Sequence, residues 1–467
     1  MKLVTNALSN ILLLCLLGIW LSSASAGSLD SFSPEAKEEL AYATGIQAFV
    51  YSYPLLHVNR FRHMFNSPES ATFRGPANHL NHSRKLASSQ QATAASPNND
   101  TLYTLAFLDL SEQPVRIDTP QMGDRYYTIQ LADFYASNFG DIGTRHNGGK
   151  PGKYLIVGPD WQGTLPRDIM QVYRSPTPWA MILLRILVDN ENELEAVHVL
   201  QDRFKLLTAD GKPLPPFDST RLPTAPKADN PAQVWAVINR ELTSNPPPPS
   251  DRSLVNQFAT VGIGPGQPQD ISHLDPALQK GLMRAATTGM QIVLAAADNI
   301  GGGNKFNGWS YAKPDVGRYG TDYLYRAGVT RMGLMANDPI EATYLSLYVD
   351  ADGNTLSGNS DYRLRFAGDN LPPAKAFWSV TLYDRETYKL VDNMIGRFSI
   401  GDRTPGIKYD EDGSLSIYID HTTPGPEREP NWLPAPQGDF YLIMRIYIPE
   451  TAAVAQTWEP PAVSLLP

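Results

Sequence analysis

From Leu102 onward the chain breaks into short apolar or alternating segments, each cut by Gly, Pro or Asp: 102–110, 126–131, 154–157 and 181–188. Segments this short fall below the usual length of a buried helix and have the spacing of strands in a sandwich. The pattern returns in the last third, at 342–349, 362–366, 377–383, 414–420 and 440–448. There Leu415, Ile417 and Ile419 alternate with Ser414, Ser416, Tyr418 and Asp420, as in a sheet wet on one side. Asp352-Gly353 and Asp412-Gly413 are hairpin signals.

Helical pattern appears in five places. Ser33-Pro34-Glu35 reads as a capped helix start, and the helix is expected to run to about Val50, because Pro54 disfavours a helical residue before it. Asn190 with Glu193 opens a second helix, to about Phe204. After Leu207 prolines crowd 212–231 and 246–249 around a short helix at 232–242; Asp251 is expected to cap another. Asp275-Pro276 opens the clearest helix, to about Asp298, and Gly301-Gly302-Gly303 stops it. The expected organisation is a signal at 1–26, an N-terminal β-sandwich with its leading helix at 27–210, a Pro-rich linker with helices at 211–310, and a β-rich C-terminal domain at 311–467.

Lys2, the apolar run from Ile11 to Leu21 and the Ala24-Ser25-Ala26 site have the form of a secretory signal. The run is too short to span a membrane, which takes roughly 20 apolar residues. Cleavage after Ala26 would leave a periplasmic or secreted chain without a membrane span. The single cysteine, Cys15, falls in the signal, so disulfides and thiolate chemistry are excluded from the mature chain. With 39 Lys+Arg against 48 Asp+Glu the formal charge is −9. That balance excludes nucleic acid as a partner, which requires clustered cations.

Several segments together resemble domain of unknown function 1254 followed by domain of unknown function 1214. The first resemblance is carried by Pro97-Asn98-Asn99-Asp100-Thr101-Leu102-Tyr103, Tyr126-Tyr127 with Gln130 and Asp133, then Asn138, Gly143, Arg145 and Gly152-Lys153-Tyr154-Leu155. The second is carried by Tyr319-Gly320-Thr321-Asp322-Tyr323, Phe377-Trp378-Ser379-Val380-Thr381-Leu382-Tyr383-Asp384, Asn431-Trp432-Leu433-Pro434 and Arg445-Ile446-Tyr447. The resemblance implies an exported, mainly β protein: an N-terminal β-sandwich, a helical insert and a C-terminal jelly-roll-like sandwich. It brings no agreed reaction and no catalytic residue.

Two constellations suggest chemistry. In the first half Asn98, Asn99, Asp100 and Tyr103 stand before Tyr126, Gln130, Asp133, Asn138 and Arg145. If the sandwich brings these loops together, Asp100 and Asp133 would divide acid and base roles, and Arg145 would hold an anion or polarise a carbonyl. The competing structural explanation is an Asx-turn and an Arg–Asp pin. In the second half Tyr441, Ile443, Arg445 and Tyr447 share one strand face, with Trp378 and Trp432 as expected walls of a cleft for a glycan or small amphiphile. Aromatic packing of a large core is the alternative for both Trp residues. Four of the eight histidines, His57, His63, His79 and His82, fall within 26 positions. The i, i+3 pair His79/His82 leaves a divalent metal open, with surface or capping histidines as the default, and no cofactor is predicted. No G-x-S-x-G elbow, P-loop or Rossmann fingerprint is present. The expected function is an exported hydrolase of a small polar or amphiphilic substrate. The alternative is a non-catalytic ligand-binding or assembly protein, and a homo-oligomer is left open.

Overall fold

Residues 29–90, 96–222 and 230–466 are described in the computed structural model, so the signal expected at 1–26 lies outside the described residues. The apolar segments of the first half form two sheets. One runs, in spatial order, Asn81–His82, Thr101–Asp109, Trp179–Leu187, Tyr127–Asp133, Asn138–Gly143. The other runs Gln171–Arg174, Gly152–Val157, Val115–Thr119, Lys205–Leu207. Side chains alternate across a strand, so Leu102, Ala106, Leu108, Ile182, Leu184 and Ile186 meet Val115, Ile117 and Ile156 between the sheets.

A second sandwich forms from the last third. Its larger sheet runs Lys305–Phe306, Trp309–Tyr311, Ala342–Leu347, Phe440–Pro449, Ala374–Asp384, Ser399–Gly401. It faces a smaller one, Trp432–Pro434, Leu415–Asp420, Tyr362–Phe366, Val463–Leu465. Leu364, Ile417, Leu442, Met444 and Ile446 fill the space between. The expected hairpin after Ala342–Leu347 is present: Asp350 accepts the Asp352 and Asn354 N–H groups at 2.9 Å each, and Gly353 takes the left-handed conformation (φ 85°). The fold class is thus as expected, two β-sandwiches with helices.

The helices form a layer with its own core. The leading helix, Pro34–Asn66, extends well past Val50 and holds Pro54 inside it. A proline inside a helix costs about 3 kcal/mol. Here Tyr51, Tyr53, Leu55, Leu56 and Val58 around it are all buried. Burial of such side chains contributes roughly 1.5–3 kcal/mol each, so tertiary packing outweighs the local penalty. This helix packs along the helix Pro276–Ala297 rather than serving the first sandwich alone. Ala41, Gly45 and Phe49 face Gly281, Ala285 and Gly289; a Cβ on Gly281 would stand 2.3 Å from the Glu38 carbonyl oxygen. Asp251 caps nothing with its side chain; its carboxylate accepts the Tyr51 hydroxyl at 3.0 Å. Among the described residues no helix is long and apolar enough to cross a membrane.

Candidate functional site

The front sheet of each sandwich has an inward face, filled by the cores above, and an outward one. On the first, the outward face carries Thr101, Tyr103 and Leu105, paired in register with Leu187, Arg185 and Leu183. On the second it carries Tyr441, Ile443 and Arg445, with Tyr344 opposite Arg445 and Ser346 opposite Ile443. These two outward faces contribute facing walls of one cavity of about 350 Å³, with Phe61, Phe65, Val329 and Met332 supplied by helices. The volume falls in the range of small-molecule sites, roughly 300–1,000 Å³.

The lining is mainly apolar and aromatic, with neutral polar groups such as Ser96, Asn98 and Thr101 and a few charges. Arg74, Lys85, Arg185 and Arg445 are its cations and Asp298 its one carboxylate, among the described residues. Arg74, Lys85 and Asp298 are exposed. Arg185 and Arg445 are only 4% and 5% exposed. Arg185 donates from Nη1 to Gln130 Oε1 (2.9 Å) and Asn337 Oδ1 (2.8 Å), and its guanidinium stands 5.5 Å from the Tyr103 ring centre. Arg445 donates to Thr381 Oγ1 and the Ser96 carbonyl, each at 3.0 Å. Neither forms an ion pair with a carboxylate among the described residues.

The residues expected from the sequence divide into three sets. Asn98, Tyr103 and Arg445 line the cavity. A second set joins the modules. Asn98 hydrogen-bonds the Tyr447 hydroxyl, and Tyr447 stacks on Phe377 at 4.1 Å. Tyr126 donates to Glu341 at 2.7 Å, and Gln130 Nε2 donates to the Ala336 carbonyl at 2.6 Å and to Asn138 at 2.7 Å. Asn138 donates to Asp338 at 2.7 Å. Asn99 keeps a buried Oδ1 without a hydrogen-bond partner among the described residues and lines no part of the cavity. Trp378 and Trp432 form the third set and are buried in the second module, away from the cavity. Trp378 pairs with Ile446 and so points inward, opposite to the face of Ser379 and Arg445; Trp432 donates its indole N–H to the Asp420 carbonyl at 2.9 Å.

The acid/base trio does not line the cavity, and no hydrogen bond or ion pair joins its members. Asp100 accepts from Ser379 at 2.7 Å and Arg403 at 3.3 Å across the module boundary. Asp133 accepts the Tyr135 and Ser137 N–H groups on a single oxygen, at 2.9 and 3.0 Å, and burial pushes its pKa up to about 6. Arg145 pairs with Asp141 and, at 2.8 Å, with Glu341; burial holds the Glu341 carboxyl above its ordinary value although Tyr126 and Arg145 both donate to it. The histidines do not converge either. Burial drives His57 down to about 3, beside Tyr53. His82 lies on the short strand Asn81–His82 and hydrogen-bonds Thr104 at 2.8 Å, so the spacing with His79 is not that of a helical turn. Among the described residues no three His, Cys, Asp or Glu side chains gather as metal ligands.

Arg185 is the buried, cavity-lining charge that the sequence reading did not single out. Its signal was present: one guanidinium in the otherwise apolar run Met181-Ile182-Leu183-Leu184-Arg185-Ile186-Leu187. A charge at the centre of a buried strand requires a reason.

Fold and cavity together define a double-sandwich protein with a small-molecule-sized hollow where its modules meet. Residues 77–208 match the family described as "Protein of unknown function (DUF1254)", and residues 341–451 match "Protein of unknown function (DUF1214)". The chain belongs with the proteins that carry these two modules in this order. Among solved structures it is similar to the VPA0106 protein from Vibrio parahaemolyticus, at 24% identity and a TM-score of 0.70, over 92% of this chain and 100% of that one. That likeness extends to the fold. An uncharacterized protein from Burkholderia cenocepacia aligns over 93% of each chain, at 14% identity and a TM-score of 0.43. No curated protein matches the sequence.

Proposed function

We propose that this protein binds a small amphiphilic molecule in the cavity between its two sandwiches. The observation that carries the reading is the cavity itself: about 350 Å³, walled by Tyr103, Leu183, Tyr344 and Ile443 from two facing sheets, with polar groups at fixed positions. Apolar walls with a few convergent polar groups are what retain and orient a small ligand. Hydrolysis through Asp100, Asp133 and Arg145 has no common reacting point, because each is engaged by different partners, so binding rather than carboxylate chemistry is the function put forward. The leading segment adds the place of action, the periplasm or the exterior; a purified mature chain beginning at Gly27 is the expected mass-spectrometric result.

The test is to fill the hollow. Leu183→Trp places an indole in it while leaving the sandwich core, on the other face of the strand, untouched. Titration calorimetry with decanoate should show binding to the natural chain and at least a tenfold loss in the variant. Equal affinity in both would remove the cavity as the site.

A further inference from the structure

We infer that the molecule bound here carries a compact anionic head group, a carboxylate or sulfonate, seated against Arg185 and Arg445, with its apolar part toward Phe61, Phe65, Val329 and Met332. This rests on the cavity being the binding site.

The argument is one of charge. A guanidinium stays protonated in a protein, so burial cannot neutralise it. Removing such a charge from water costs several kcal/mol unless a partner of opposite sign goes with it. Two other buried arginines follow this rule. Buried Arg62 pairs with Glu241 at 3.0 Å, and buried Arg116 pairs with Asp118 at 2.6 Å. Buried Arg326 has no ion-paired carboxylate among the described residues either; it lies among the rings of Tyr51, Tyr135 and Tyr323, each within 5.3 Å of its guanidinium carbon, and does not line the cavity. Arg185 and Arg445 depart from the rule: they are buried, they line a hollow, and their hydrogen bonds go to neutral oxygens. Among the described residues the hydrogen bonds of Arg185 leave from Nη1 alone, so Nη2 and Nε keep donor capacity. Asp100 is the carboxylate electrostatically nearest Arg445, but it bonds to Ser379 and Arg403 and does not line the cavity.

The two guanidinium groups are also linked through one tyrosine of the lining. Arg185 donates to Asn337, Asn337 donates to the Tyr344 hydroxyl at 3.0 Å, and Tyr344 stands opposite Arg445 in the strand register. Exposed Arg74 and Lys85 add positive charge to the lining against Asp298 alone. The hollow is therefore cationic in a chain of net charge −9. Like-signed walls around a small volume favour a ligand of the opposite sign. A planar guanidinium fork matches a carboxylate or sulfonate.

The experiment compares four ten-carbon probes on the full mature chain by titration calorimetry: decanoate, decanesulfonate, decanol and decyltrimethylammonium. Both anions should bind at least tenfold tighter than decanol, and the cation weakest. Arg185→Gln should lower the anion-to-alcohol ratio at least threefold, Arg445 retaining the remainder, and Arg185→Lys should keep more of the preference. Decanol or the cation binding as tightly as decanoate to the natural chain would overturn the head-group assignment and leave the cavity as the site. So would an unchanged ratio in a folded Arg185→Gln. No binding by any of the four would overturn the cavity reading itself.

Discussion

Asp133 and Arg145 show how a polar residue can be prominent in the sequence and structural in the molecule. Asp133 closes a turn with one oxygen while its carboxyl is buried. Burial raises its pKa from 3.8 to about 6, so between those values the folded chain holds a proton that the unfolded chain has lost. Stability contributed by this group therefore falls as pH rises from about 4 to about 6, by up to about 1.4 kcal/mol per pH unit. Asp133→Asn keeps the acceptor oxygen and should flatten that part of the stability–pH curve, measured by urea unfolding at several pH values; an unaltered curve would contradict the assignment. Arg145 lies against Glu341, whose side chain is 2% exposed. Arg145→Ala strands that carboxylate and should cost about 3 kcal/mol in urea unfolding at pH 7. Adding Glu341→Gln should restore most of the loss, whereas no restoration would mean that packing, not charge, was removed. Asn98, Tyr103 and Arg445 line the cavity, and they stood out in the sequence because polar or aromatic side chains cluster around strand starts and strand faces. Arg185 did not, because an apolar run hides a single charge.

At the scale of elements, period and punctuation were sufficient for the strands of seven residues or more. The segment expected at 362–366 is the strand Tyr362–Phe366, and that expected at 440–448 is Phe440–Pro449. The expected start of the leading helix was also right, with Ser33 accepting the Ala36 N–H at 3.2 Å. Its end was missed, since a proline's local cost is visible in a sequence and the burial that outweighs it is not. The seam of small residues between Pro34–Asn66 and Pro276–Ala297 gives a further test. Gly281→Ala would push a methyl against the Glu38 carbonyl and the Ala41 side chain. The two helices must then separate, and thermal and urea unfolding should report a loss of about 1–3 kcal/mol. A gain, as expected where Gly→Ala acts only through helix propensity, would show that the seam tolerates spreading.

Across the whole molecule, the modules are joined by buried bonds rather than by a linker alone. Ser96 meets Tyr441 at 2.6 Å, Tyr383 donates to the Pro97 carbonyl at 2.8 Å, and Asp100 meets Ser379 at 2.7 Å. The sandwiches should accordingly unfold together. Scanning calorimetry should give one transition with calorimetric and van't Hoff enthalpies in agreement; two resolved transitions would mean the interface is weaker than its bonding suggests. Binding of decanoate in the interfacial hollow should raise that transition in proportion to the logarithm of its concentration.

Local rules were enough for the longer strands, the starts of the helices at Pro34 and Pro276 and the hairpin at Asp352-Gly353, because period, caps and turn residues act over a few neighbours. Which face of each front sheet meets the other module was decided only in three dimensions. Alternation says that Arg445 and Trp378 lie on opposite faces, not which face is closed by a partner sheet. The pairing of Asp100 with Ser379 and Arg403, the reach of Arg145 to Glu341, and the meeting of Arg185 with Arg445 around one hollow depend on contacts between residues about two hundred positions apart or more, whereas the Asp133 turn and the Arg145–Asp141 pair are the local arrangements that a turn and an Arg–Asp pin describe. The distant contacts are set by how two finished sandwiches dock, and no local pattern encodes them.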